Sequence, residues 1–173
     1  MKYVQAKGLD LSAFALGTVQ LGLTYGLGEH AEKPTEEAAF AILDRAVDLG
    51  VNTLDTANNY GESEAVIGRW LTKRKAEGKK LPYIVTKVGP LKHGSYDILR
   101  DDVMYQLEGC MKRLCIDKLD IFMLHDYEDY ANDRDAMQKI FAEIKAQGLY
   151  DYSAISAYSR HDYGVIAESG FDA

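Results

Sequence analysis

The 173-residue sequence holds only two cysteines, three prolines and one tryptophan, and each scarcity excludes something. Cys110 and Cys115 sit in a helical pattern, without the CxxC spacing of a redox or zinc site and without the framework of a disulfide scaffold, so both read as free thiols. The prolines are too scattered to form a linker, which leaves no domain boundary and predicts a single domain over residues 1–173. No stretch approaches the ~18 apolar residues that cross a bilayer, and MKYVQAKGLDLS lacks the apolar core of a secretory signal. A soluble, cytoplasmic protein with no membrane partner is expected. Basic runs are missing too: 20 basic residues face 27 acidic ones for a net charge of −7, and the Lys73 to Lys80 cluster is interrupted. Nucleic acid is therefore not an expected partner. Neither HxH nor HExxH occurs, and His30, His93 and His161 fall in loop-like stretches, so no metal site is expected and a metal-dependent hydrolase is the weakest enzyme reading. Gly26 and Gly28 do not extend into GxGxxG, and no Walker loop appears.

What the sequence does have is alternation. Strand-like apolar runs and helical periodicities follow one another in the order of repeated βα units, which predicts a parallel α/β sheet. The first run is Phe14 to Val19, followed by a loop punctuated by Gly22, Gly26 and Gly28. Thr35 then offers an N-cap, Glu36 and Glu37 suit the helix dipole, and Ala39, Phe40, Leu43, Ala46 and Val47 fill one face before Gly50. Further runs are Val51 to Thr56, Tyr83 to Val88, Leu119 to Leu124 and Tyr152 to Ala157. Between them lie helical stripes through Val66, Ile67, Trp70 and Leu71, through Val103, Leu107, Cys110, Met111 and Leu114, and through Met137, Ile140, Phe141 and Ile144. Arg160 to Ser169 reads as a short helix and Phe171 to Ala173 as the opening of a sixth strand.

Three of these buried-type runs end in an ionisable residue. NTLDTA ends near Asp55, PYIVTK at Lys87 and DIFMLH at His125, and Tyr60 follows Asp55 closely in NNYGES. An unpaired charge is costly to bury, so charges at the same end of three strands suggest one shared polar site, where the carboxyl ends of barrel strands converge. Taken singly, such an Asp is usually a turn former, such a Lys a solvated end and such a His a satisfied polar side chain. Their common position favours a constellation. A lysine beside a tyrosine stabilises the phenolate and makes the hydroxyl a better proton donor; Asp55 would hold the Lys87 amine, and His125 would orient a carbonyl oxygen or share in moving the proton. Such a set supports a developing alkoxide but lacks a hydride, which a nicotinamide must supply if reduction is the reaction.

With these residues in hand, the segments LGTVQLG, LDRAVDLGVNTLDTANNYGESEAVIG, IVTKVG and MKRLCIDKLDIFMLHD resemble the aldo/keto reductase family. The order Asp55, Tyr60, Lys87, His125 is similar to that family's catalytic tetrad. The resemblance runs from about Phe14 to Ala173. It implies a parallel (β/α)8 TIM-type barrel, here incomplete with about five βα units. It also implies NADPH, or NADH, as cofactor, with Gly17, Thr18, Val19, Asp55 and Ser156 on the nicotinamide side, and a small carbonyl compound as substrate. Ser156 matches the family's Ser in a Ser-Asn pair, while Ala157 stands where the Asn usually is. The family's later strands, which grip the rest of the cofactor, are not in the sequence. Five strands would leave open edges, so self-association through them is expected, and the isolated chain would be unstable or dependent on complementation. Gln20, Tyr25 and Trp70 are candidate pocket residues, with core packing the commoner fate of Trp70. Two other readings stay open. One is a non-catalytic half-barrel; the less favoured one is a Schiff-base aldolase with Lys87 as nucleophile.

Overall fold

The chain opens with a hairpin, β1 (Tyr3–Ala6) and β2 (Leu9–Ser12), paired in antiparallel register from Tyr3 with Ser12 to Ala6 with Leu9. Its two-residue turn, Lys7 and Gly8, has positive φ at both positions, the type I′ geometry that matches strand twist. Five strands then pair in parallel in the order in which the chain makes them: β3 (Leu16–Gly17), β4 (Thr53–Asp55), β5 (Tyr83–Val88), β6 (Leu119–Leu124) and β7 (Tyr150–Ile155). The helices between them are α1 (Val19–Gly22), α2 (Glu36–Asp48), α3 (Ser63–Ala76), α4 (Tyr96–Leu114), α5 (Tyr127–Asn132) and α6 (Arg134–Ala146), with α7 (Arg160–Ala167) after β7. This computed structural model describes residues 1–26, 32–158 and 160–173, without the side chains of 160–162; Gly28 and His30 lie outside the described residues. No described helix is long and apolar enough to cross a membrane.

One face of the sheet packs against the helices. Leu54, Ile84, Val88, Phe122 and Leu124 are buried there with Leu43, Ile67, Trp70, Val103, Leu107, Met137, Ile140 and Ile144 from the helical stripes. Phe122 stacks on Phe141 at 4.9 Å. The opposite face is set by register. Asp55 lies opposite Val85, Lys87 is one pleat further along β5, Met123 lies opposite Lys87, and His125 is one pleat beyond Met123. The three ionisable residues therefore share a face and climb by one pleat per strand, the stagger that tilted strands of a barrel arc require.

Several expectations need correction. The run from Phe14 to Val19 is not one strand: only Leu16–Gly17 pairs, Phe14 is exposed and Val19 opens α1. The Thr18 amide makes the last ladder bond to the Asp55 carbonyl at 3.0 Å, its hydroxyl donates to the same oxygen at 2.8 Å, and the chain then turns into α1. The last strand runs from Tyr150, two residues earlier than the apolar run, and His161 sits in α7 rather than in a loop. The stub at 171–173 is unassigned as a strand, yet Ala173 bonds to Ser153 and Ile155 in the alternating manner of a parallel pair.

Candidate active site

At the carboxyl ends of β4, β5 and β6 the ammonium of Lys87 has three donors and three acceptors around it. Nζ stands 2.6 Å from Asp55 Oδ1, 2.9 Å from the Thr56 carbonyl and 3.5 Å from Tyr60 Oη. Lys87 is buried, whereas the Asp55 side chain keeps a third of its surface open to solvent. The His125 ring meets the Tyr60 ring edge-on, with centroids 5.7 Å apart and planes at 79°. Burial, and after it the nearby Lys87 charge, lowers the His125 pKa against the opposing pull of Asp55 and Asp126. The imidazole is thus biased to its neutral form, with one N–H and one accepting nitrogen. The structure brings Asp55, Tyr60, Lys87 and His125 together.

Tyr60 owes its place to a tight turn. Its amide bonds the Ala57 carbonyl, its carbonyl accepts from the Ser63 amide, and Asn58 N bonds the Lys87 carbonyl. Gly22 presses on this turn so closely that a Cβ there would stand 1.8 Å from the Tyr60 carbonyl oxygen. Beneath lies a buried set of hydroxyls: Ser63 Oγ is 2.9 Å from Thr18 Oγ1 and 3.1 Å from Thr56 Oγ1. Glu64, also buried, accepts from Thr86 at 2.5 Å and from Arg113 at 2.7 Å, which ties α3 to β5 and α4. Cys110 packs beside this pair and burial pushes its thiol up to about 12, so it is no nucleophile.

Of the residues expected to hold a cofactor, Gly17 is exposed, and a Cβ on it would meet nothing within 4 Å. Open space therefore adjoins Asp55, its partner in the sheet. Val19 and Ser156 are half-buried, and Ser156 N donates to the Leu124 carbonyl. The Thr18 side chain is fully buried and engaged within the protein. Among the candidate pocket residues, Trp70 is core, buried with Nε1 donating to Asp44; Tyr25 is exposed and Gln20 half-buried. Sequence reasoning missed Thr56, Ser63 and Glu64, whose residue types in loops and helix starts read as ordinary caps.

Comparison with known proteins identifies the family. A sequence model described as the Aldo/keto reductase family matches residues 13–171. An L-galactose dehydrogenase of Arabidopsis thaliana is 32% identical over 154 residues, covering 86% of this chain and 46% of the relative. The uncharacterized oxidoreductase YrpG of Bacillus subtilis is 27% identical over 172 residues, covering 91% and 49%. In fold, the chain superposes on the holo form of the aldo-keto reductase AKR11C1 from Bacillus halodurans with a TM-score of 0.75 at 24% identity, covering 98% of this chain and 54% of the other. The chain spans about half the length of the curated relatives it matches.

Proposed function

The chain belongs to the aldo/keto reductase family of oxidoreductases, and we propose accordingly that it carries the acid–base machinery for reduction of a small aldehyde or ketone, with Tyr60 as proton donor. The observation that carries this reading is the Lys87 ammonium, set between the Asp55 carboxylate and the Tyr60 hydroxyl, with the His125 ring edge-on to that of Tyr60. A reduced nicotinamide, NADPH or NADH, would supply the hydride. The open space at Gly17, the half-exposed Asp55 carboxylate and Ser156 at the end of β7 fit its carboxamide end, with the backbone of Thr18 and Val19 beside them.

Each side chain then has one task. Tyr60 Oη transfers its proton to the carbonyl oxygen as charge develops there. Lys87 stabilises the phenolate that remains, and Asp55 holds the ammonium in place. The neutral His125 ring donates its N–H to the carbonyl oxygen and fixes its direction, stabilising the developing alkoxide. Solvent returns the proton to Tyr60. The five strands form an arc of a (β/α)8 barrel, and the two free thiols suit a reducing, cytoplasmic setting. Lys87 as a Schiff-base nucleophile is disfavoured, because its three hydrogens are all engaged.

The test is Tyr60→Phe. Reduction of an aldehyde, followed by loss of nicotinamide absorbance, should fall at least ~100-fold, while cofactor affinity by fluorescence titration stays unchanged. Undiminished turnover in the variant, or a borohydride-trapped adduct on Lys87, would overturn the assignment.

A further inference from the structure

One side chain at the rim of the sheet is bonded to both loops that flank the Tyr60 and Lys87 contact. Gln106 lies on α4, half-buried, and every hydrogen-bonding position of its amide group is taken. Oε1 accepts from Asn58 Nδ2 at 2.6 Å and from the Gly89 amide at 2.9 Å. Nε2 donates to Asp102 Oδ2, one turn earlier on α4, at 2.9 Å and to the Pro90 carbonyl at 3.3 Å. The Gly89 N–H can only donate and the Pro90 carbonyl only accept, so the two ends of the Gln106 amide cannot exchange places. Asn58 stands two residues before Tyr60 and Gly89 two residues after Lys87, and the Asn58 amide donates to the Lys87 carbonyl at 3.0 Å. One oxygen of Gln106 thus holds both segments together. Asn58 takes this orientation at some cost, since its own Oδ1 is buried without a partner.

We propose that Gln106 is a positioning residue for Tyr60 and Lys87, a bracket on α4 that sets the spacing between the loop after β4 and the loop after β5. The proposal deepens the carbonyl-reduction reading and rests on it for its catalytic meaning. The contact it governs is the loosest one at the site. Lys87 Nζ stands 3.5 Å from Tyr60 Oη, at the limit of a hydrogen bond, against 2.6 Å to Asp55 and 2.9 Å to the Thr56 carbonyl. Asp55 is held by strand pairing to β5, and the Thr56 amide continues that ladder by donating to the Val85 carbonyl. Tyr60 lies beyond the ladder, in the turn that follows Asn58. Slack between the two loops therefore falls on the Tyr60 hydroxyl and not on the other partners of Lys87. A displacement of about 1 Å can cost a positioned reaction about 100-fold.

The alternative is that Gln106 only anchors α4 to the loop after β5, through Gly89, Pro90 and Asp102. Asn58→Ala separates the two, because it cuts the arm toward Tyr60 and leaves those three bonds, and the backbone bond from residue 58 to Lys87, in place. Q106L removes the whole bracket. In each variant kcat for an aldehyde should fall about 10-fold or more, with cofactor affinity by fluorescence titration unchanged. The double variant should be no slower than Q106L, since both substitutions break the same connection. The nuclear Overhauser contact between the Tyr60 and His125 rings, whose centroids are 5.7 Å apart, should weaken in both variants, a reading that needs no turnover. If Q106L does not fold, N58A alone decides. Normal kcat or an intact ring contact in N58A, a matching loss of cofactor affinity, or losses that multiply in the double variant would overturn the positioning role and leave the anchor. If the ring contact weakens as expected but the unsubstituted chain reduces no carbonyl, the reductase assignment fails and the positioning survives.

Discussion

Neutral His125 leaves a thermodynamic trace that can be measured without substrate. Its folded pKa lies below its unfolded value, so the unfolded chain takes up the proton first as pH falls. Above the ordinary histidine value of about 6.5 the residue contributes no slope. Below it stability declines, until the lower folded value is passed. His125→Gln should remove this component, so urea midpoints followed from neutral pH to about 5 should fall less in the variant; parallel slopes would contradict the shift. Asp120 and Asp129 act oppositely, because burial raises both carboxyls and their protonation favours the folded state as pH drops through the raised values toward about 3.9. At this scale Asp55, Lys87 and His125 were legible because a charge closing an apolar run is costly unless it has company. Thr56, Ser63 and Glu64 were not, because hydroxyls and acids near helix starts are common caps, and only tertiary contact distinguishes them.

Among the elements, the four-residue α1 contributes more than its length suggests. Its last residue, Gly22, packs against the backbone of the Tyr60 turn, and an added Cβ would lie 1.8 Å from the Tyr60 carbonyl and 2.3 Å from the Ser63 amide. Backbone cannot swing aside as a side chain can. Gly22→Ala should therefore cost about 1–3 kcal/mol in urea unfolding and displace Tyr60, lowering turnover more than cofactor affinity. A variant of unchanged stability and activity would show the contact to be slack. Strands β5 and β6 match their apolar runs residue for residue, since buried parallel strands read as unbroken hydrophobic stretches. The stripes of α3, α4 and α6 were equally plain. The hairpin was not read, although Lys7-Gly8 between short alternating segments is a turn signal, because β1 is exposed throughout and offers no apolar run. Six-residue α5 escaped for a similar reason: it is too short for a periodicity, and its N-cap Asp126 follows His125 directly.

Over the whole molecule the two ends of the sheet divide the work. Chemistry-bearing side chains gather at the carboxyl ends of the strands, while the β1–β2 hairpin closes the other end, the stabilising side of such architectures. The order of the strands was legible from βα alternation, because each crossover must return the chain parallel beside its last strand. How the hairpin attaches was not, because it depends on a few side-chain bonds, chiefly those of Asn52. Asn52, just before β4, accepts from the Ser12 amide at 2.7 Å and donates to the Asp10 carbonyl at 2.6 Å, while its own amide donates to Ser12 Oγ at 3.0 Å. The far end of the hairpin is held by Tyr152, whose hydroxyl donates to the Lys7 carbonyl at 2.7 Å across the sheet. Asn52→Ala removes both side-chain bonds to the hairpin, and a third from the Thr53 hydroxyl, and leaves the Ser12 amide and Asp10 carbonyl to water, for a loss of about 1–3 kcal/mol. Because the lysine, tyrosine and histidine contacts lie at the opposite strand ends, hydrogen exchange should quicken over residues 3–12 while amides 55–60 and 87–89 keep their protection relative to global stability. Cofactor affinity should likewise hold below the melting range. Faster exchange at the site without faster exchange in the hairpin would mean that the two ends are coupled through the strands, and the division of labour between them would have to be abandoned.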